Sequence, residues 1–272
     1  VVDRLADIDA ASASQRRSLL SPDVPPLWQA VGQPTRWPAE ATWHRKLEQV
    51  RIFGRQEGGR LAGQLIAIVV VACLVAWLQR RTGQWPHDDE AFRTVQPIVA
   101  HRVSAAVLVT VVPGIIIYRT DPLAVTEAWS LLLAVPLVRL LGDRLRGFVR
   151  RLVPAPAVLL VLVTLRSLLP ATALAARTAL LVENIGLAAW VLWAIPPGRD
   201  TLSGVARWVL MLSRLALLTL VASVVANLTG RLSLALFLTQ GLLGNTLLAL
   251  GAFGAARVLV AFVVAALHSH TA

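Results

Sequence analysis

The chain is 272 residues long and 56% hydrophobic, with 15% charged residues, where a soluble domain of this size carries about a quarter. The mean hydropathy of +0.67 points to lipid rather than water as the main solvent. The net charge is +11, and Lys46 is the only lysine. The arginines flank apolar stretches with no recognition motif beside them, which excludes a nucleic-acid binder and favours anionic lipid headgroups. The one cysteine, Cys73, excludes an internal disulfide and a cysteine metal centre; mid-helix, it is expected as a small buried hydrophobe.

Residues 1–20 have no apolar core of a signal peptide and read as the end of a polar helix. The lack of an initiator methionine there, and the stop just after an apolar run, lead us to expect a piece of a longer protein. Residues 21–41 hold five prolines and two tryptophans and read as a structured linker. Helical character resumes over 43–60. Residues 1–60 are thus expected outside the membrane, and 61–272 as an all-α polytopic transmembrane bundle.

Apolar stretches near the roughly 20 residues needed to cross a bilayer cover about 62–79, 98–118, 123–141, 152–169, 172–195, 202–226 and 243–267. That is about seven spans, helical because a backbone in lipid must satisfy its own hydrogen bonds. Polar or proline-marked breaks separate them: the acidic His87–Glu90 run, Asp121-Pro122, the basic loop Gly142–Arg151, Pro170, and Pro196-Pro197-Gly198. Residues 232–267 measure about 54 Å as one helix, too long for one crossing, so a break is expected at Gly241–Gly244 with 231–240 along the interface. The arginines of 142–151 place that loop in the cytoplasm and the N-terminus in the periplasm of a bacterial inner membrane. Trp77, Trp85, Trp129, Trp190, Trp193 and Trp208 fall near helix ends as an aromatic belt does.

No phosphate loop, zinc spacing or nucleophile motif occurs, so no catalytic or metal residue, cofactor or small-molecule substrate is expected. His268 and His270 are two apart on a helix end and diverge. Charges within apolar helices are more informative, because each costs a few kcal/mol unless partnered. Arg177, Glu183 and Asn184 lie in the fifth stretch, Arg207 and Arg214 in the sixth. Glu183 and Arg214 sit near the middles of two antiparallel helices, so a Glu183–Arg214 ion pair locking that hairpin is expected, with an ion relay as the functional alternative. Arg166 and Arg177, near helix ends, are expected to snorkel. Gly59 and Gly63, and Gly244 and Gly251, form small-residue faces suited to close helix packing. Pro113-Gly114 and Pro136 are expected to kink their helices.

Residues 226–259, ANLTGRLSLALFLTQGLLGNTLLALGAFGAARVL, run from a helix end through Leu-Ser-Leu-Ala and Thr-Gln-Gly to a small-residue helix and a closing Arg-Val-Leu. This order resembles the membrane region before the pore in large multi-span members of the small-conductance mechanosensitive channel (MscS-like) superfamily, MscK-type. LWQAVGQPTRWPAEATWHRKLEQV is similar to the end of the periplasmic region of the same proteins. The resemblance implies a homo-oligomer in which these are peripheral, tension-sensing helices in contact with membrane lipids. It also implies a pore helix and β-domain beyond the residues present. Residues 231–240 and the kinked spans are the parts expected to couple to lipid. A secondary transporter, with a polar site near Glu183 and Arg214, is the alternative.

Overall fold

The computed structural model describes residues 21–30, 39–82, 90–117, 123–142, 147–169, 174–195 and 204–271. Every regular element among them is helical: α1 (Leu27–Ala30), α2 (Ala39–Gln56), α3 (Gly58–Thr82), α4 (Glu90–Ala100), α5 (Arg102–Ile117), α6 (Leu123–Gly142), α7 (Gly147–Leu152), α8 (Pro154–Arg166), α9 (Leu174–Ala194), α10 (Gly204–Leu228) and α11 (Leu232–Thr271). Among the described residues, five segments are long and apolar enough to cross a membrane: Gly58–Arg81, Gly147–Arg166, Leu174–Ala194, Arg207–Leu228 and Leu232–Leu267.

Two expected spans are not among these five. The stretch 98–118 is divided at His101, so that an amphipathic α4 precedes an α5 of 16 residues, about 24 Å long. The stretch 123–141 forms α6 but carries Glu127, Pro136 and Arg139 within its 20 residues. The basic 142–151 stretch is a loop only in part. Gly147, at φ +64°, opens α7, and a single turn at Val153 ahead of Pro154 leads into α8. Residues 27–30 of the proline-rich linker are likewise helical.

The chain divides into two compact units, residues 1–42 with 162–244, and residues 43–161 with 245–272. In the second unit, α5 packs against α3 and α6. The α3 side chain of Gln64 donates from Nε2 to the Thr110 carbonyl of α5 at 2.7 Å. That carbonyl lies in the turn from which Pro113 has removed a donor, and Gly114 leaves room: a Cβ there would stand 3.3 Å from the Gln64 amide. Both Pro113 and Pro136 sit inside continuous helices. On α11, Gly251 faces Val112 and Gly254 faces Leu108. Added Cβ atoms would meet them at 2.8 and 3.0 Å.

The other face of α3 is bare: Leu65, Ile66 and Val69 are each more than 60% exposed. A contiguous apolar face of this kind marks lipid or another chain as its neighbour. Cys73 lies on the exposed surface of α3, not in a core, because the interior of this helix is limited to Val75, Leu78 and their partly covered neighbours.

The expected break in the last stretch does not occur. α11 runs unbroken through Gly241 and Gly244 for 40 residues, so no separate helix 231–240 exists. Each glycine weakens a helix by about 1 kcal/mol relative to alanine, which the surrounding leucines and alanines tolerate.

Candidate functional site

The buried polar groups of the described residues concentrate in the unit formed by 21–30 and 162–244, where α9, α10 and the start of α11 come together. They form three tiers.

The first tier is an ion pair. Arg166, the last residue of α8, donates Nε to Glu183 Oε2 at 3.0 Å, with both side chains almost fully buried. The expected Glu183–Arg214 pair is not formed; Arg214 lies on the exposed side of α10. The hairpin register explains this. Asn184 bonds Ser223, so Arg214, nine residues before Ser223, is level with Trp193. That is about 15 Å along the axis from Glu183 and about half a turn off the buried face. Arg207 is also exposed.

The second tier joins three helices. Asn184 Nδ2 donates to Ser223 Oγ at 2.9 Å. Ser223 donates to the Ala235 carbonyl at 2.9 Å, and Thr239 donates to Asn184 Oδ1 at 3.1 Å. The two hydroxyls lie 2.9 Å apart. Asn184, Ser223 and Thr239 are wholly buried.

The third tier closes the end of the bundle. Arg177 is 1% exposed. It donates Nε and Nη2 to the side-chain and backbone oxygens of Asn227, at 3.3 and 2.7 Å, and Asn227 Nδ2 returns a bond to the Arg177 carbonyl at 2.8 Å. The remaining Nη1 reaches the Pro25 carbonyl at 2.7 Å. Arg166 and Arg177 therefore do not snorkel; each is enclosed and hydrogen-bonded within the protein.

Pro25 belongs to a segment docked on the α10–α11 turn. The amides of Asp23 and Val24 both donate to the Gly230 carbonyl, at 3.1 and 3.2 Å. The Asp23 carboxylate accepts the Leu232 amide at 2.7 Å, the Ser233 amide at 2.8 Å and the Ser233 hydroxyl. The residue preceding α11, Arg231, has no side-chain acceptor, and Asp23 caps the helix in its place. Burial pushes the Asp23 carboxyl up, but the hydrogen bonds from Ser233 and Leu232 outweigh it and hold the group below its ordinary value. Gly230 is required twice: its φ is +86°, and a Cβ there would lie 2.3 Å from the Val24 carbonyl oxygen. Val24 packs on the apolar cluster of Leu180, Ala226, Leu232 and Ala235.

Of the expected packing glycines, Gly251 alone makes a close helix contact, with Gly254 as its companion. Gly59, Gly63 and Gly244 have nothing within 4 Å of an added Cβ and lie on exposed surface. Residues 87–89 of the acidic run, the first 20 residues and Trp85 fall outside the described residues. Among the described residues no group of three His, Cys, Asp or Glu side chains could hold a metal ion.

Sequence reasoning singled out Arg177, Glu183 and Asn184 but missed Asp23, Ser223, Asn227 and Thr239. A signal was present: Ser223 and Asn227 are four apart and Arg177 and Asn184 seven apart, each pair on one helix face. Among the described residues every buried side-chain nitrogen and oxygen has a partner, so the tiers act as a set of locks between helices. No model of a protein family, no curated protein and no solved structure matches the chain.

Proposed function

We propose that this chain is the peripheral, tension-sensing membrane region of a mechanosensitive channel of the MscS-like kind, a channel that releases ions and osmolytes on hypo-osmotic shock. It is read as residing in a bacterial inner membrane with its N-terminus in the periplasm. It assembles as a homo-oligomer and responds to lipid instead of transforming a substrate. The observation that carries this reading is α11. Its apolar part, Leu232–Leu267, is 36 residues long, about 54 Å against a hydrocarbon core of about 30 Å. A helix so much longer than the core adapts by tilting or leaving the bilayer, and the balance shifts as the bilayer thins under tension. Tension acts only through a difference in membrane area or fit between states, and this element supplies one.

The test is direct. Patches holding the complete parent protein are stretched by suction, and the present chain is placed in oriented bilayers of graded acyl length. We expect stretch-activated current, and an α11 tilt that grows as the acyl chains shorten. A tilt that ignores bilayer thickness sinks the reading.

The second reading, a secondary transporter, is favoured by the buried Arg166–Glu183 pair beside Asn184, which takes the place of Glu183 and Arg214 as its polar site. In that case Glu183→Gln abolishes coupled uptake in vesicles while the protein stays folded.

A further inference from the structure

Residues 21–30 touch the helices in a particular way. Their hold on the α10–α11 turn is mostly polar: two amides on the Gly230 carbonyl, the Asp23 carboxylate on the first amides of α11, and the Pro25 carbonyl on Arg177. Little apolar surface is sealed. Val24, Pro26, Leu27 and Ala30 are half-covered, whereas Trp28 is 62% exposed and Ser21, Pro22, Asp23, Pro25 and Gln29 are exposed as well. The helices beneath are built differently, with Leu180, Asn184, Leu220, Ser223, Asn227 and Thr239 almost wholly inaccessible. A segment held by exposed hydrogen bonds over a well-packed base opens at a lower free energy than the base itself. The prolines at 22, 25 and 26 restrict the free segment, so that less disorder is lost on each return to the turn.

We infer that residues 21–30 are a detachable strap: a two-state latch that caps α11 when closed and, when open, frees the α11 N-terminus and the Arg177 guanidinium while the helices stay assembled. In the open state the Leu232 and Ser233 amides lose their acceptor, since Arg231 offers none. Arg177 keeps Asn227 and turns its third nitrogen to water or to another carbonyl. The first turn of α11 is then free to fray or shift, whereas the Asn184–Ser223–Thr239 tier still fixes that helix one to two turns further on. The latch couples the segment before α2 to the start of the longest helix without altering the interior. It stands whether or not the chain senses tension.

Hydrogen exchange followed by mass spectrometry, on the full chain in phosphatidylcholine nanodiscs at neutral pH, tests it. Two variants attack the contact from opposite sides: Asp23→Ala removes the acceptor, and Gly230→Ala drives a Cβ into the Val24 carbonyl. We expect residues 21–30 and 231–234 to exchange together in the native chain, faster than α9 and the centre of α10. Each variant is expected to accelerate both segments by about tenfold or more, the loss of a few hydrogen bonds, and to leave α9 and residues 215–227 unchanged. Unchanged exchange at 231–234 in Asp23→Ala would show that the carboxylate does not hold the helix start. Acceleration spreading through α9 and α10 in both variants would show that the strap is an inseparable part of the bundle. Either result overturns the proposal.

Discussion

Asp23 reaches across 209 residues to bond Leu232, and its protonation is tied to folding. Its carboxyl is held below the ordinary value of 3.8. The stabilisation is therefore present above the unfolded-state value and fades as pH falls through the lower native one. We expect Asp23→Asn, which keeps one acceptor but loses the negative charge at the α11 N-terminus, to lower stability at neutral pH by about 0.3–1 kcal/mol, and this deficit to disappear toward pH 2. Thermal unfolding in detergent across pH 2–7 measures it. Glu183 poses a different case. Removing one member of a buried pair strands the other and costs about 3–5 kcal/mol, whereas replacing both by apolar groups is often neutral. We expect Glu183→Ala to be strongly destabilising, Arg166→Met with Glu183→Leu to recover most of the loss, and a double-mutant cycle to find coupling between 166 and 183 and none between 183 and 214. The presence of a locked charge at 183 was legible in the sequence. Its partner was not, because depth along a hairpin depends on a register set by Asn184 and Ser223, and which side of α10 is buried depends on packing that an apolar-all-round helix does not encode.

At the scale of elements, helix positions were legible because lipid and packed interior alike demand long apolar runs. Breaks were less so. Gly241 and Gly244 looked like a boundary, yet α11 continues through them, since a glycine lowers helix stability without removing a hydrogen bond. His101 shows no strong breaking signal and yet separates α4 from α5. Glycine spacing alone likewise failed to tell a packed face from a bare one. We expect Gly251→Leu to expel α11 from α5, because even a Cβ at 251 meets Val112 Cγ2 at 2.8 Å, whereas Gly244→Leu and Gly63→Leu find open space. Unfolding temperatures of the three variants should separate accordingly: a fall of several degrees or more for the first, the scale on which overpacking by 1–3 kcal/mol registers, and little change for the others.

For the whole molecule, the strap constrains topology in a way that hydropathy cannot. Asp23 and the 229–231 turn touch, so both lie on one side of any membrane the chain crosses, and the number of crossings between them is even. α3, the α7–α8 segment, α9 and α10 are each long and apolar enough to cross and make an even set. If all four cross, α5 and α6 both cross or neither does. With both crossing, as the sequence leads us to expect, a cysteine at Leu123 is labelled from the same face as one at Ser21, in a Cys73→Ser background. Labelling from the opposite face means that α5 and α6 do not cross.

The contact between residue 23 and residue 232 also orders events in time. At a synthesis rate of about 5–20 residues per second, the first partner waits some 10–40 s for the second to be made. Until then the strap has no Gly230 to bind and Asp23 has no α11 N-terminus to cap. Closure of the N-terminal segment therefore waits for the start of α11 to be made, and a nascent chain halted before α11 leaves that segment open to proteases.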